Sequence, residues 1–424
     1  MNSYDEYFKY NGSQLACEGV PLAELAHRYG TPLYVYTERG FRTKYREIDG
    51  ALDGVDHLIC YSIKSNSNIH ILDIMREMGS GMDVVSGGEI YRALKAGIVP
   101  EKIVYAGVGK SEDEIVYALD AGILMFNCES FPEIEAIDAV ARGKGQIADI
   151  AVRVNPDVEA NTHHYITTGK KENKFGIGID ALKRSSRTIL ERRGVRLRGV
   201  HAHIGSQILE VAPFVHAMDK LIGLALELKA SGFTELDYIN LGGGFGIRYR
   251  DEEFFPVDEW AREIRKRIAR TGLKLIVEPG RYLSGNNGVL LVKVLYRKTA
   301  EEKTFIVTDG AMNDLIRPSL YGAYQEILNC TRREGTELVD VVGPICESGD
   351  FFAKDRVMGV SEQNDFLAVM SAGAYGMAMA SHYNSRRLPA EVLVAADGSH
   401  RLIRNRESYD DMVRAELAGN LIDK

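Results

Sequence analysis

Lys64 stands in Tyr61-Ser62-Ile63-Lys64-Ser65-Asn66, directly after the largely apolar run His57-Leu58-Ile59-Cys60. That places one lysine at the carboxyl end of a buried strand, among small and polar neighbours and with no acidic residue beside it in the sequence. Partial desolvation favours the neutral amine, which can form a Schiff base with an aldehyde. A lysine at a strand end can equally be a solvated surface residue, so the reading depends on what the other strand ends carry. Three of them carry chemistry: His201-Ala202-His203-Ile204-Gly205-Ser206, the glycine run Gly242-Gly243-Gly244-Phe245-Gly246, and Glu278-Pro279-Gly280-Arg281.

A glycine run lets backbone N–H groups approach an anion, and at a strand end it suits phosphate. Gly280 and Arg281 would complete such a cradle, or Arg281 would face a substrate. An aldehyde-binding lysine, a phosphate cradle and a carboxylate facing a ring nitrogen are together what pyridoxal 5'-phosphate (PLP) requires. Glu278 suits the last role, because a carboxylate there keeps the pyridine nitrogen protonated and the ring an electron sink. His203 could lie flat on the ring. The competing structural roles are a Glu278–Arg281 salt bridge, a core histidine and a plain turn. His201 and His203 alternate along a strand and so face one side, as a metal-binding pair would. The other strand ends supply glycine, Lys64, Arg153 and Glu278 instead of further ligands, so no metal is expected. Gly107-Val108-Gly109-Lys110-Ser111 is not a P-loop, since the first required glycine position holds Val104.

The elements that must position these groups follow from the apolar runs. Strands are expected near 57–64, 81–86, 103–107, 124–127, 147–154, 198–204, 237–241 and 274–278, with helical patterns between them. Eight strand–helix units in about 220 residues predict a (β/α)₈ barrel, whose functional groups sit at the carboxyl ends of its strands. The second strand then delivers Asp83 and Ser86-Gly87-Gly88-Glu89, and the fifth Arg153 and Asn155. Beyond residue 285 the runs Val289–Tyr296, Thr304–Asp309, Glu337–Val342, Asp365–Met370 and Glu391–Ala395 have little helix between most of them. The fold class expected is α/β: a barrel over 36–285 plus a mostly-β, sandwich-like domain from 286–424 that also takes up residues 1–35, with a helix at Pro21–Tyr29.

The second domain has its own reactive residues. Cys346-Glu347-Ser348-Gly349-Asp350 sets a thiol beside a carboxylate, a pairing that could give a proton to carbon, although a lone cysteine is commonly inert packing. Arg317, in Asp314-Leu315-Ile316-Arg317-Pro318-Ser319-Leu320-Tyr321, offers a planar fork for a carboxylate. Tyr375, in Gly373-Ala374-Tyr375-Gly376-Met377, sits in what reads as a flexible turn of small residues and could reach phosphate or ring.

Composition narrows the classes. The chain has 424 residues, enough for two domains, and 45% hydrophobic with 26% charged residues fits a protein with a large core. A net charge of −8 leaves no basic footprint for nucleic acid, and no run of about 18 apolar residues suggests a membrane span. Residues 1–10 lack an apolar stretch, so no secretory leader is expected. The five cysteines are scattered and unpaired in spacing, which favours a reducing cytoplasm over a disulfide framework.

The order and spacing of these motifs resemble the fold-type III PLP-dependent decarboxylases, and within them the branch acting on meso-2,6-diaminoheptanedioate (meso-diaminopimelate). The resemblance runs nearly end to end: VPLAELAHRYGTPLYVY (20–36), YSIKSN (61–66), GMDVVSGGE (81–89), ENKFGI (172–177), HAHIGSQ (201–207), LGGGFG (241–246), EPGR (278–281), IRPSLY (316–321), CESGD (346–350) and GAYGMAMASHYN (373–384). It implies Lys64 as the Schiff-base lysine, Glu278 at the pyridine nitrogen and His203 on the ring. Ser206, Gly243, Gly244, Gly280, Arg281 and Tyr375 would hold phosphate, and Asp83, Glu89 and Arg153 would form the polar surround. Arg281, Arg317, Tyr321, Glu347 and Tyr375 would recognise the substrate's distal groups, and Cys346 would protonate the decarboxylated carbon, giving L-lysine and CO₂.

The resemblance further implies a head-to-tail homodimer in which Cys346 and Glu347 enter the partner's active site. Ser62 and Ser65 stand where the family often has alanine, and Gln325 where it often has histidine. The alternatives are a sister decarboxylase of ornithine, lysine, arginine or carboxynorspermidine, a barrel racemase using the same cofactor, and a non-catalytic regulatory homologue. Two arginines and Glu347 favour a substrate with a second amino-acid end. Intact Lys64, Glu278 and Cys346 argue against the regulatory homologue.

Overall fold

The computed structural model describes residues 6–158, 174–301 and 303–418. Glu172 and Asn173 of the ENKFGI motif lie outside them. The chain forms two units, one of Arg42–Ile247 with Glu253–Leu283, the other of Met1–Phe41 with Arg248–Glu252 and Ser284–Lys424.

The first unit is a closed barrel of eight parallel strands. They are β1 (His57–Ser62), β2 (Gly81–Val84), β3 (Ile103–Tyr105), β4 (Met125–Cys128), β5 (Ala148–Asn155), β6 (Val195–His201), β7 (Tyr238–Asn240) and β8 (Lys274–Val277). Each pairs with the next, and β8 returns to β1 with Leu275 opposite His57 and Val277 opposite Ile59. Cys60, Val104, Met125, Ala151 and Ile276 from five of these strands form a buried cluster.

Helices begin promptly after β2, β3 and β4 because Ser-x-x-Glu recurs there. Ser86, Ser111 and Ser130 each accept a hydrogen bond from the backbone N–H three residues on, at Glu89, Glu114 and Glu133. Those glutamates also tie down the strand-end loops. Glu89 accepts from Val85 N at 2.8 Å, Glu114 from Gly87 N at 2.8 Å and Glu133 from Glu129 N at 2.7 Å. Satisfying these backbone donors holds the carboxyl-end rim in one conformation.

The second unit is built on a nine-stranded mixed sheet. Its main path runs Phe351–Gly359, Thr336–Val342, Lys303–Thr308, Gly288–Ala300, Leu33–Thr37, Ala390–Val394, His400–Arg404; Phe366–Val369 also pairs with Gly288–Ala300 and with Ile327–Asn329. The N-terminal segment is therefore part of the mostly-β unit, with Leu33–Thr37 lying between strands 250 or more residues later in the chain. The helix Leu22–Tyr29 buries Leu22, Leu25 and Ala26 against Leu33, Val35, Val289, Leu291 and Val392. Full burial of each such Leu or Val contributes roughly 1.5–3 kcal/mol. Among the described residues no helix is long and apolar enough to cross a membrane.

Candidate active site

β1 ends in a single 3₁₀ turn, Ile63–Ser65, which turns Lys64 away from the buried Ile63 and Ser65. The lysine has an acidic partner that its neighbours in the sequence do not supply: its Nζ lies 3.0 Å from Oδ2 of Asp83, at the adjacent end of β2. The register pairing Ser62 with Asp83 brings them together, a contact between residues 19 apart that local sequence does not display. Asp83 is fully buried, and burial raises its carboxyl above the usual range against the opposing pull of Lys64. Ser62 Oγ donates to the same Oδ2 at 2.6 Å, whereas Asp83 Oδ1 has no hydrogen-bond partner among the described residues.

Glu278, just past β8, is 5% exposed. Its Oε1 accepts from Asn240 Nδ2 at 2.6 Å and from Asn127 Nδ2 at 3.0 Å, and its Oε2 lies 3.3 Å from His201 Nε2. Burial would push this carboxyl up; the fields of His201 and Lys64 and the Asn240 bond prevail and hold it at about 2. Glu278 is thus a buried carboxylate, ionised throughout the neutral range. Its partners are these side chains, whereas Arg281 turns to Ser206, whose Oγ accepts from Nη2 at 3.1 Å and Nε at 3.3 Å.

The glycine run after β7 is packed against the ends of β6 and β8. A Cβ on Gly243 would collide with the carbonyl of Glu278, and one on Gly244, where φ is +106°, with the carbonyl of Gly205. Only glycine permits this approach. Phe245 anchors the loop, its ring 5.1 Å from Phe214 and 4.9 Å from Trp260. Gly280 is equally confined, since its Cβ would lie 2.9 Å from that of Ser62. Gly243 N donates to His203 Nδ1 at 3.2 Å, so the hydrogen of the neutral ring sits on Nε2. Burial and the charges of Arg153 and Lys64 hold this imidazole well below its ordinary range.

Glu89 accepts from Val85 N, and burial with Asp83 nearby raises it to about 7 despite that bond. Arg153, 6% exposed, donates to Glu129 Oε1 at 2.7 Å and lies 4.7 Å from the centre of the Phe175 ring. Glu129 Oε2 accepts from Gly176 N at 2.9 Å.

In the second unit, Arg317 opens the short helix Arg317–Tyr321 and is buried. It donates to Tyr249 OH at 2.8 Å. Ser319 Oγ donates to Gly349 O at 2.5 Å, which ties this helix to the 343–350 loop. Asp350 anchors the loop's base by accepting from Met312 N and Ile345 N, both at 2.7 Å. Cys346 is exposed and its N donates to Asn384 Oδ1 at 3.1 Å, while Glu347 accepts from Tyr383 OH at 2.7 Å. Tyr321 is part-buried at the end of its helix. Tyr375 has a φ of +56° in a turn that is packed rather than flexible. A Cβ on Gly373 would strike Ser284 O, and one on Gly376 would strike Ala372 O. The small residues there serve close approach.

Residues 38–285, more than half of the chain, match the family described as pyridoxal-dependent decarboxylase, pyridoxal binding domain. The chain is 45% identical over 419 residues to diaminopimelate decarboxylase of Aquifex aeolicus, covering 98% of this chain and 99% of that protein. The chain belongs to the diaminopimelate decarboxylase family. Diaminopimelate decarboxylase of Helicobacter pylori, solved in complex with L-lysine, superposes with a TM-score of 0.90 at 41% identity, covering 94% of this chain and all of that one. The M. jannaschii diaminopimelate decarboxylase complexed with L-lysine gives 0.92 at 35% identity, covering 98% of each chain.

As a diaminopimelate decarboxylase relative, the chain also carries partners of its candidate residues that sequence reasoning did not select: Asn127, Asn240 and Glu129 within the barrel unit, and, within the second unit, Tyr249, Tyr383 and Asn384. A faint signal existed for two. Asn127 and Asn240 are polar side chains inside otherwise apolar strands, and both are fully buried. Such a residue needs a partner, but which partner depends on strands far away in the chain.

Proposed function

We propose that this chain decarboxylates meso-diaminopimelate to L-lysine and CO₂, the last step of lysine biosynthesis, using pyridoxal 5'-phosphate held at the barrel's carboxyl-end rim. The residues present fit that cofactor: an amine at Lys64, a glycine cradle from which any Cβ would be excluded, and a buried anion at Glu278. Bound there, PLP supplies an aldehyde and an electron-accepting pyridinium ring.

The chain's own residues do the rest. Lys64 Nζ would hold the aldehyde, with Asp83 beside it as a proton-holding partner. Glu278 would face the ring nitrogen and favour its protonated form, and neutral His203 would face the ring. The backbone of Gly243, Gly244 and Gly280, with Ser206, Arg281 and Tyr375, takes the phosphate. Glu89 and Arg153 complete the polar surround. Arg281, Arg317, Tyr321, Tyr375 and Glu347 bind the distal amino-acid end of the substrate. Cys346 Sγ then delivers a proton to the carbon that has lost CO₂.

For Cys346 and Glu347 we infer a head-to-tail homodimer in which they serve the partner's barrel. Their exposure on an anchored loop supports this. Five free cysteines support a reducing, cytoplasmic setting.

The observation that carries the reading is Glu278, a carboxylate buried at real desolvation cost yet kept ionised by dedicated partners. Protein purified with PLP should show visible absorption that borohydride abolishes, and should release CO₂ from meso-diaminopimelate but not from ornithine, lysine or arginine. Release from a basic amino acid would reassign the substrate, and absence of trapped cofactor would end the proposal.

A further inference from the structure

Asn127 sits at the end of β4, fully buried, and its side chain is spent on one contact, Nδ2 to Glu278 Oε1 at 3.0 Å. Its own Oδ1 has no hydrogen-bond partner among the described residues. An orphaned buried acceptor is a cost to folding, so the amide is better explained by its contact with Glu278 than by packing. Asn240 reaches the same oxygen from β7 at 2.6 Å, and its Oδ1 accepts from Gly242 N at 2.9 Å, joining the glycine loop to the carboxylate. Two N–H donors saturate Oε1. A proton on that oxygen would face two others, so Oε1 stays an acceptor, and Oε2, with His201 Nε2 3.3 Å away, is the oxygen with room for a further donor.

We propose that Asn127 and Asn240 are positioning residues that fix which oxygen of Glu278 serves the cofactor ring and keep that carboxylate deprotonated while it does so. The inference rests on the assignment of Glu278 to the ring nitrogen, and it adds the device that makes the assignment work. The other titratable groups bearing on Glu278 are Lys64 beyond β1, Cys60 on β1, Asp83 on β2, and His201 and His203 from β6. Asn127 is uncharged and reaches from the opposite part of the barrel wall, so it can be changed without altering any of them.

Asn127→Asp is nearly isosteric and replaces a donor with a second carboxyl about 3 Å from Glu278. Such a pair must share a proton. The apoprotein should therefore lose thermal stability relative to wild type as pH rises from 5 to 8. In the Glu278→Gln background the extra slope should vanish, because the glutamine amide can donate to the introduced carboxylate. A slope that survives in that background, or that never appears, overturns the proposal. In holoenzyme, Asn127→Leu should lower kcat at least tenfold, with KM within about twofold and cofactor still trapped by borohydride. It should also move the pH at which the cofactor absorbance changes. Unaltered kcat and an unaltered spectrum would overturn it. The apoprotein melts need no cofactor, so they stay decisive even if wild type failed to bind PLP, a result that would sink the functional reading instead.

Discussion

Glu278 in the barrel and Glu347 in the second unit are both acidic residues beside reactive groups, and the protein treats them oppositely. Glu278 is enclosed: two amides fill one oxygen, His201 faces the other, and the glycine loop is tied to Asn240 beneath it. Glu347 is exposed, with one phenol from Tyr383, next to an exposed Cys346. One chain is enough to organise the first. The second has an anchored base at Asp350 but an open tip. Preorganised dipoles in a dry site gain most in electrostatic catalysis, so the closed region suits the cofactor role proposed for Glu278. The open one suits the proposed substrate recognition and proton delivery, which a partner chain is proposed to complete.

The sharpest way to break this contrast is to neutralise each acid. Glu278→Gln should lower kcat by about 10²–10³-fold while cofactor remains bound; Glu347→Gln should act chiefly on KM, and steady-state kinetics with cofactor absorbance would reveal any reversal. Next in size is a mixing experiment. Lys64→Ala and Cys346→Ala homodimers should each be nearly inactive, yet exchanging their subunits should restore about a quarter of wild-type sites if Cys346 serves the partner. No recovery after verified exchange would place the thiol in its own chain's site.

Arg317→Ala comes third. Loss of a charge-assisted contact of roughly 1.5–3 kcal/mol should raise KM for meso-diaminopimelate by about one to two powers of ten. An unmoved KM would leave Arg317 as a structural partner of Tyr249.

The smallest effect compares one buried carboxyl from each unit. Burial raises Glu89 to about 7, and likewise Asp314, which accepts from Ala311 N at 2.9 Å. An acid with a raised folded pKa is proton-bound in the native state at pH 5, and its contribution is lost as pH climbs through 7. Melting temperature should fall from pH 5 to pH 8, each group contributing on the order of 1–3 kcal/mol. Glu89→Gln and Asp314→Asn should each flatten part of that slope; an equal slope in both variants would disprove the assignment.

Much of the barrel was legible because its strands are buried on both sides and read as apolar runs, each closed by a polar or glycine-rich end. The second unit was less so. Phe351–Gly359 and His400–Arg404 went unread, and both lie at the ends of the main sheet path. Edge strands have one neighbour and carry charge, here Lys354, Asp355 and Arg356 in one and Arg401 and Arg404 in the other, so no apolar run marks them. Leu33–Thr37 has the apolar character, but nothing local says that its neighbours lie beyond residue 287.

Sequence alone determined the reactive inventory and its order: a lysine after the first strand, glycines after the seventh, a glutamate after the eighth. These follow from short-range pattern, since a strand's end and the residue type there are set within a few positions. Tertiary structure alone decided the pairings. Lys64 meets Asp83, Arg153 meets Glu129, and Glu278 gathers Asn127 from 151 positions away and Asn240 from 38. Barrel closure and register create those contacts. They set which groups are charged, because desolvation and neighbouring charge act through space and not along the chain.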